Sequence, residues 1–528
     1  MPPSRGITLH DSTESKGSAR SSLVIMICTL LSRLLGIVKA RVLGSVFGAG
    51  AVADVINFTF NIPNNFRKLF AEGAVNSALI PAFSSLIALD DKKRSLRLFS
   101  LLCTYQTLLL IPLVVVSYVF AEPLIRFLSD FDSQQIELGA KLLPFFMVYL
   151  ATISLAATFN GVLQSHANFL HAYLSPLLFS LAVIFGVTYL SDSLGPMSMA
   201  YSVLGGGLLQ GSYSYLMVRR YGYRLHVALK TADTPFRPVV KAWSLVTLGM
   251  GMQIVTQLVS FLFASSLEKG SVTAFSNATI FYQTPYGIFF NAISAVSLPL
   301  MSRAYVLKHT EKLNHYTRSS LVNLTALLLP STIILFFLSN ESVSVVLQTG
   351  RFTLADANLT AFVLRPYLLF MLTAAWYGMY LRLGYSANRH SLMTKITLVQ
   401  NLLDIALMYL FISMGWGIIS LPIANGLSYL VGLLIACIVL RDLYRVHSDR
   451  LLFKELLRIL LANLPVLATG LLYASFAPTW HHQGSTLASF LLLALFGLAG
   501  CTLVLISYQV AHIPLLELLR SKKQQRNL

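Results

Sequence analysis

Residues 50–77 read GAVADVINFTFNIPNNFRKLFAEGAVNS. Asp54, Asn57, Asn61, Asn64, Lys68, Glu72 and Asn76 recur at steps of three or four, the spacing that stacks side chains on one face of a helix. Val55, Phe58, Ile62, Phe66, Leu69 and Phe70 fall on the opposite face. From Asp54 to Asn76 such a helix covers about 33 Å at roughly 1.5 Å per residue, enough to cross a hydrocarbon core of about 30 Å. A charge at mid-bilayer costs at least about 2.5–3.5 kcal/mol, so the stripe must face a cavity or a partner. The segment is therefore expected to be a spanning helix that lines a wet, charged cavity in a bundle. A surface amphipathic helix would carry the same stripe. Pro63 and the nearly uncharged flank at 42–53 fit a span better.

The rest of the chain supplies the bundle. Its 528 residues are 55% hydrophobic and 11% charged, with a mean hydropathy of +0.69, whereas a soluble globular chain carries about 25% charged residues. Fourteen apolar runs long enough to span occur at about 22–46, 50–84, 96–120, 138–162, 167–190, 196–218, 239–267, 272–301, 318–339, 357–384, 392–414, 417–440, 453–476 and 485–512. Only helices and closed barrels satisfy the backbone in lipid, and these runs are too long and too apolar for barrel strands. The expected fold is an all-α polytopic membrane protein.

The net charge of +18 is spread in a way that argues against nucleic acid. Basic residues gather in alternate loops, around Arg94, Arg224, Arg303, Arg389 and Arg445. The intervening loops are neutral or acidic, with Glu122, Asp130, Asp132 and Asp192. That is the positive-inside pattern, and it puts both termini in the cytoplasm. Residues 1–20 lack the apolar run and cleavage site of a signal peptide and are expected to be a disordered cytoplasmic tail; 516–528 form a basic one. Cys28, Cys103, Cys437 and Cys501 lie inside apolar runs with no metal spacing, which suggests reduced core thiols. There is no P-loop, HExxH or GxSxG, so ATP hydrolysis is not expected, nor is a metal site or cofactor.

A weak internal repeat organises the helices. LGAKLLPFF…QSHANF at 138–169 resembles LTAFVLRPYLLF…GYSANR at 359–389, and SALIPAFSS at 77–85 resembles SAVSLPLMS at 294–302. Both matches are offset by six helices. An even offset gives two halves of the same orientation, related by a pseudo-two-fold along the membrane normal, as in parallel-repeat transporters. The expected organisation is a six-helix lobe at 21–220, a second at 221–445, and two further helices at 446–515.

SRLLGIVKARVLGSVFGAG at 32–50, AVAD at 51–54, IPNNFRKLFAEGA at 62–74 and ALIPAF at 78–83 closely resemble the start of the MurJ (MviN) lipid II flippases, members of the multidrug/oligosaccharidyl-lipid/polysaccharide exporter superfamily. The patterns are SRxLGxxRD in the first helix and PNxxRRxFAEGA in the second. The resemblance implies a flippase of the bacterial inner membrane that moves lipid-linked peptidoglycan precursor outward by alternating access, without bond chemistry. Arg33 falls on the arginine of SRxLG, Lys39 on that of the RD pair, and Arg67, Lys68 and Glu72 on the RR and E of the second motif. Asp54 falls on an acidic residue at the mouth of the second helix. Such cations are expected to line a central cavity and meet the substrate's pyrophosphate, with Asp54, Asn57, Asn61 and Asn64 beside them. Guanidinium forks suit phosphate oxygens. Two departures stand out: Ala40 replaces the aspartate of RD, and Thr279 and Ile280 occupy an Asp-Arg position of the eighth helix.

Asp404, in NLLDIALMYLF at 401–411, is an intramembrane carboxylate and so a functional candidate. The resemblance implies coupling to sodium, protons or membrane potential among helices seven, eleven and twelve, where Asp404, Asn401, Thr256, Gln257 and Ser260 offer oxygen ligands. A hydrogen-bonded cluster that packs helices explains the same residues. Expected partners are a lipid-linked anionic glycan, membrane lipids and cell-wall synthesis proteins, around a monomer. Rival readings are a flippase for another polyprenyl-pyrophosphate glycan, a drug/cation antiporter of the superfamily, and a non-transporting cell-wall scaffold.

Overall fold

In the computed structural model, which describes residues 11–69, 78–231, 234–480 and 486–513, the apolar runs are helices and no strand occurs among the described residues. The chain divides into two compact units, Met1–Val46 with Val55–Leu258, and Phe47–Asp54 with Val259–Leu528.

The first unit holds α1 (Asp11–Phe47) up to Val46, α2 (Ala51–Arg67) from Val55, α3 (Ile80–Ala88), α4 (Lys92–Val119), α5 (Ala121–Leu128), α6 (Ser133–Ser165), α7 (Phe169–Leu194), α8 (Met197–Arg219) and most of α9 (Phe236–Ser265), and residues 47–54 group with the second. Residues 11–20, expected in the tail, belong to α1; the helix-breaking Pro2 and Pro3 both precede it. The basic tail at 516–528 lies outside the described residues. A capping box starts α6, with Asp132 accepting from the Gln135 amide at 2.9 Å and Gln135 accepting from the Asp132 amide at 3.2 Å. Small residues let α8 close on its neighbours. A Cβ on Gly206 would lie 2.9 Å from the Phe179 ring, and one on Gly207 would lie 2.6 Å from the Thr152 hydroxyl.

Against this frame α2 packs its apolar face. Val55, Phe58 and Ile62 are buried, with Phe58 on Phe131 at 5.1 Å and Phe60 on Phe146 at 5.5 Å. Asn57, Asn61 and Asn64 are half-buried on the other side. Of the continuous helix expected over 50–84, residues 70–77 lie outside the described residues. Pro63 is accommodated inside α2, and the backbone is π-type at 68–69 and at 78–79. Phe70, Glu72 and Asn76 lie outside the described residues.

The second unit holds the end of α9, α10 (Ser271–Val306), α11 (Thr310–Phe337), α12 (Ser339–Leu347), α13 (Leu354–Leu369), α14 (Met371–Ser386), α15 (His390–Ser413), α16 (Ser420–Val439), α17 (Arg450–Ala462), α18 (Leu464–Trp480) and α19 (Thr486–Val510). The C-terminal helices are tied to α11 through Tyr508, whose hydroxyl donates to the Ala326 carbonyl at 2.8 Å and accepts from Asn463 at 2.9 Å. Cys28 and Cys103 are buried, but Cys501 is exposed on α19 rather than in a core.

Eight described helices are long and apolar enough to cross a membrane, nine if α13 and α14, bent by 46°, form one broken span. The expected count of fourteen is not reached on apolarity alone. The physical reason is visible in α10: at 36 residues it is long enough, yet it carries Asn277, Gln283 and several Ser, Thr and Tyr residues.

The two sequence repeats end in the same backbone turn. Asp90, nine residues after Pro81, has φ 53°, and Lys308, nine after Pro299, has φ 56°. In each, the next amide reaches back to a carbonyl five residues earlier, Asp91 to Leu86 at 3.0 Å and His309 to Ala304 at 2.9 Å. Ala167 and Asn388, in the SHAN and SAN segments, repeat the device at φ 58° and 59°. These are Schellman-type helix ends.

Candidate substrate and coupling sites

In the first unit, Lys39 is the centre of the cationic group. Its ammonium lies 5.5 Å from the centroid of Phe60 on α2 and 5.6 Å from that of Phe179 on α7, within reach of both ring faces. Tyr149 of α6 bridges the two rings, 5.8 Å from Phe60 and 4.8 Å from Phe179. Three helices thus build one aromatic wall under a lysine. Arg67 is near enough for its charge to act on Lys39. Lys39 forms no ion pair among the described residues.

Side-chain amides hold two of the cations, Arg67 and Lys68. Asn64 Oδ1 accepts from Arg67 Nε at 3.1 Å, and Asn61 donates to the Asn57 carbonyl at 2.9 Å. Lys68 is held at 3.1 Å by Asn65 and at 2.8 Å by Gln257 of α9. Gln257 therefore serves the cationic stripe, a role its distance in sequence concealed. Arg33 is half-buried on α1 with no hydrogen bond or ion pair among the described residues. The pairing of Lys68 with Glu72 falls outside the described residues.

Asp54 belongs to the second unit and has other partners. It is 2% exposed. Its carboxylate accepts from the Gly270 amide at 2.6 Å, the Thr273 amide at 2.8 Å and the Thr273 hydroxyl at 2.7 Å. It is thus an N-terminal cap for α10, supplied from 216 residues away. The entry is tight: Gly270 has φ 97°, and a Cβ there would meet the Ala49 carbonyl at 2.6 Å, so no other residue fits. With both oxygens engaged in capping, Asp54 is not open to a ligand as expected.

In the second unit, Asp404 is buried and its Oδ2 accepts from Asn425 of α16 at 2.7 Å. Its Oδ1 is buried with no hydrogen-bond partner among the described residues. The phenols of Tyr367 and Tyr429 lie within electrostatic reach. Of the other expected members, Asn401 donates to the Thr397 carbonyl at 2.8 Å, Ser260 to the Met408 sulfur at 3.3 Å and Thr256 to the Met252 carbonyl at 3.1 Å. Asn425, an amide inside an apolar run, is the partner that sequence reading passed over. Among the described residues no cluster of three or more His, Cys, Asp or Glu side chains is arranged to hold a metal. Ile280 is 36% exposed and brings no charge to α10. A cation does act on this helix from α14, where Arg382 lies within reach of Tyr286.

The profile of the family described as lipid II flippase MurJ matches residues 43–495. A probable lipid II flippase MurJ of Borreliella burgdorferi is 28% identical over 494 residues, covering 93% of this chain and 96% of that relative. One of Aquifex aeolicus is 28% identical over 410 residues, covering 77% and 80%. Among solved structures, a lipid II flippase MurJ in an inward closed conformation aligns with TM-score 0.76 at 22% identity, over 92% of this chain and 98% of that one. An inward-facing multidrug transporter of the MATE family aligns with TM-score 0.66 at 15% identity, over 80% and 98%. These last two likenesses concern the fold.

Proposed function

Because this chain belongs to the lipid II flippase MurJ family, we propose that it moves lipid II, the lipid-linked peptidoglycan precursor, from the cytoplasmic to the outer leaflet of the bacterial inner membrane. The observation that carries the proposal is Lys39, held on the Phe60–Tyr149–Phe179 wall beside Arg67 with no ion pair among the described residues. Lys39 offers a cation without an ion pair among the described residues, and a pyrophosphate supplies the opposite charge with many acceptor oxygens. A cationic drug would meet like charge at the same place, so a drug antiporter fits less well.

The mechanism is alternating access. Substrate favours one conformation only by the contacts it makes there and not in the other. Arg33, Lys39, Arg67 and Lys68 supply those contacts from the first unit. Asn64 holds Arg67, Asn65 and Gln257 hold Lys68, and Asn57 and Asn61 offer further polar contacts to the substrate. No bond is made or broken. Asp404 with Asn425 is the coupling element, binding a sodium ion or a proton under the membrane potential. The basic loops keep both termini in the cytoplasm, and the chain works as a monomer alongside cell-wall synthesis proteins. Ala40 and Ile280 favour, as a second reading, a different polyprenyl-pyrophosphate glycan.

Complementation tests the main reading. Expression in a bacterium depleted of its lipid II flippase is expected to restore growth. Membrane-inserted protein that restores no growth, and flips no lipid II in vesicles, refutes it.

A further inference from the structure

Away from both sites, α11, α16 and α17 begin or end around a cleft of about 610 Å³. Four arginines line it, Arg318, Arg441, Arg445 and Arg450, against two carboxylates, Asp442 and Asp449. Both carboxylates are engaged. Asp449 accepts from Arg318 at 3.3 Å, from the Tyr444 hydroxyl at 2.7 Å and from the Leu452 amide at 3.0 Å, which caps α17. Asp442 is bridged by Arg389. Arg441, Arg445 and Arg450 form no ion pair among the described residues. Three guanidinium groups are therefore left without counter-charge around one cleft. The Oδ1 of Asn314, a residue of its wall, is buried and accepts no hydrogen bond among the described residues.

An apolar lane starts at the cleft-lining Arg450, the first residue of α17. Phe453, Leu457, Leu460, Leu461 and Leu464 are all exposed, at steps of three and four from it that place them on one face of α17 and the start of α18. These helices form a single candidate span, Arg450–Phe476. Arginines that served only to orient the chain need to lie on the right side of the membrane. They need not converge on a cleft with a buried acceptor at the head of a lipid-facing lane.

We propose that this cleft binds the phosphodiester headgroup of an anionic phospholipid whose acyl chains run along the lane. Guanidinium forks match phosphate oxygens in pairs, and basic pockets at the ends of spanning helices take anionic headgroups.

The test uses the full-length protein purified in a neutral detergent. Dihexanoyl phosphatidylglycerol, dihexanoyl phosphatidylcholine and inorganic phosphate are titrated separately, and the thermal unfolding midpoint is read. Phosphatidylglycerol is expected to raise the midpoint saturably, and the other two to leave it unchanged at equal concentration. In the R441Q/R445Q/R450Q variant, the affinity for phosphatidylglycerol is expected to fall at least about tenfold, as lost charge-assisted contacts imply. An equal response to inorganic phosphate overturns the lipid assignment. Unchanged affinity in the triple variant overturns the site. Should that variant not fold, R445Q alone, at an exposed position, must weaken phosphatidylglycerol binding; unaltered affinity there refutes the proposal equally.

Discussion

Removing the Asp54 carboxylate unties the first turn of α10 from the segment that leads into α2. Three donors lose their acceptor, the Gly270 and Thr273 amides and the Thr273 hydroxyl. A hydrogen bond to a charged group contributes about 1.5–3 kcal/mol net, and loss of an N-cap costs about 0.5–2 kcal/mol. Bonds that share one carboxylate do not add in full. Asp54→Ala is thus expected to cost roughly 3–5 kcal/mol, and Asp54→Asn, which keeps one oxygen, about 1–2 kcal/mol. Hydrogen exchange by mass spectrometry reads the effect locally. At about 1.4 kcal/mol per factor of ten, the amides at 270–274 in the alanine variant lose on the order of 100-fold or more of their protection, while α15 and α16 stay unchanged. A cycle with Thr273→Val is expected to show coupling of at least about 1 kcal/mol. Wild-type protection at 270–274 in Asp54→Ala, or zero coupling in the cycle, refutes the capping role and returns Asp54 to the list of ligand contacts.

Lys39→Ala and Arg67→Ala are each predicted to weaken lipid II binding by about 10- to 150-fold, the worth of one charge-assisted contact, with folded protein recovered normally; wild-type binding by purified variants would falsify the cationic site. Asp404→Asn is predicted to abolish the sodium or proton dependence of flipping in vesicles while substrate binding persists, and an unchanged ion dependence would assign Asp404 to packing. Arg382→Gln is predicted to reduce lipid II affinity if α14 supplies the cation that Ile280 lacks, and Ile280→Arg should then restore it; a variant pair with wild-type affinity throughout removes Arg382 from the site. Stability should also depend on acid. Burial pushes the Asp449 carboxyl up, but the Tyr444 hydroxyl, the Leu452 amide and Arg318 more than reverse it, so its pKa lies below the ordinary 3.8. A depressed carboxyl stabilises the fold above its unfolded pKa and loses that contribution as pH falls through the folded value. The unfolding midpoint should therefore drop more steeply below about pH 4 in wild type than in Asp449→Asn, and parallel curves would show that Asp449 contributes nothing through its charge.

Sequence alone disclosed what is periodic or contiguous. The polar stripe of α2 was legible because Asn57, Asn61 and Asn64 repeat at helical spacing, and Val55, Phe58 and Ile62 are indeed buried behind them. The family was legible because its motifs run unbroken through the first two helices. Contacts between distant segments were not. Nothing local marks Asp54 as a cap for a helix 216 residues away, or Gln257 as the partner of Lys68. Asn425 faces Asp404 across a helix pair, which apolar run lengths do not encode. Apolarity alone recovers fewer than the expected spans among the described residues for a related reason: a helix that lines a polar interior need not look apolar. Arg382 was passed over because one arginine in an apolar run gives no clue to which neighbour it faces.

The matched turns at Asp90 and Lys308 bear on how the protein is made. Every hydrogen bond that closes them lies within six residues of chain. Each hairpin can therefore shut as soon as its second helix leaves the ribosome, without waiting for the rest of the bundle. A polypeptide with long polar helices needs such early closure, because those helices are poor candidates for lipid on their own. Duplicating one self-closing hairpin also gives the later half of the chain a tested route into the membrane. Biogenesis, and not only transport, is thus a constraint on where these prolines stand, nine residues ahead of each left-handed residue.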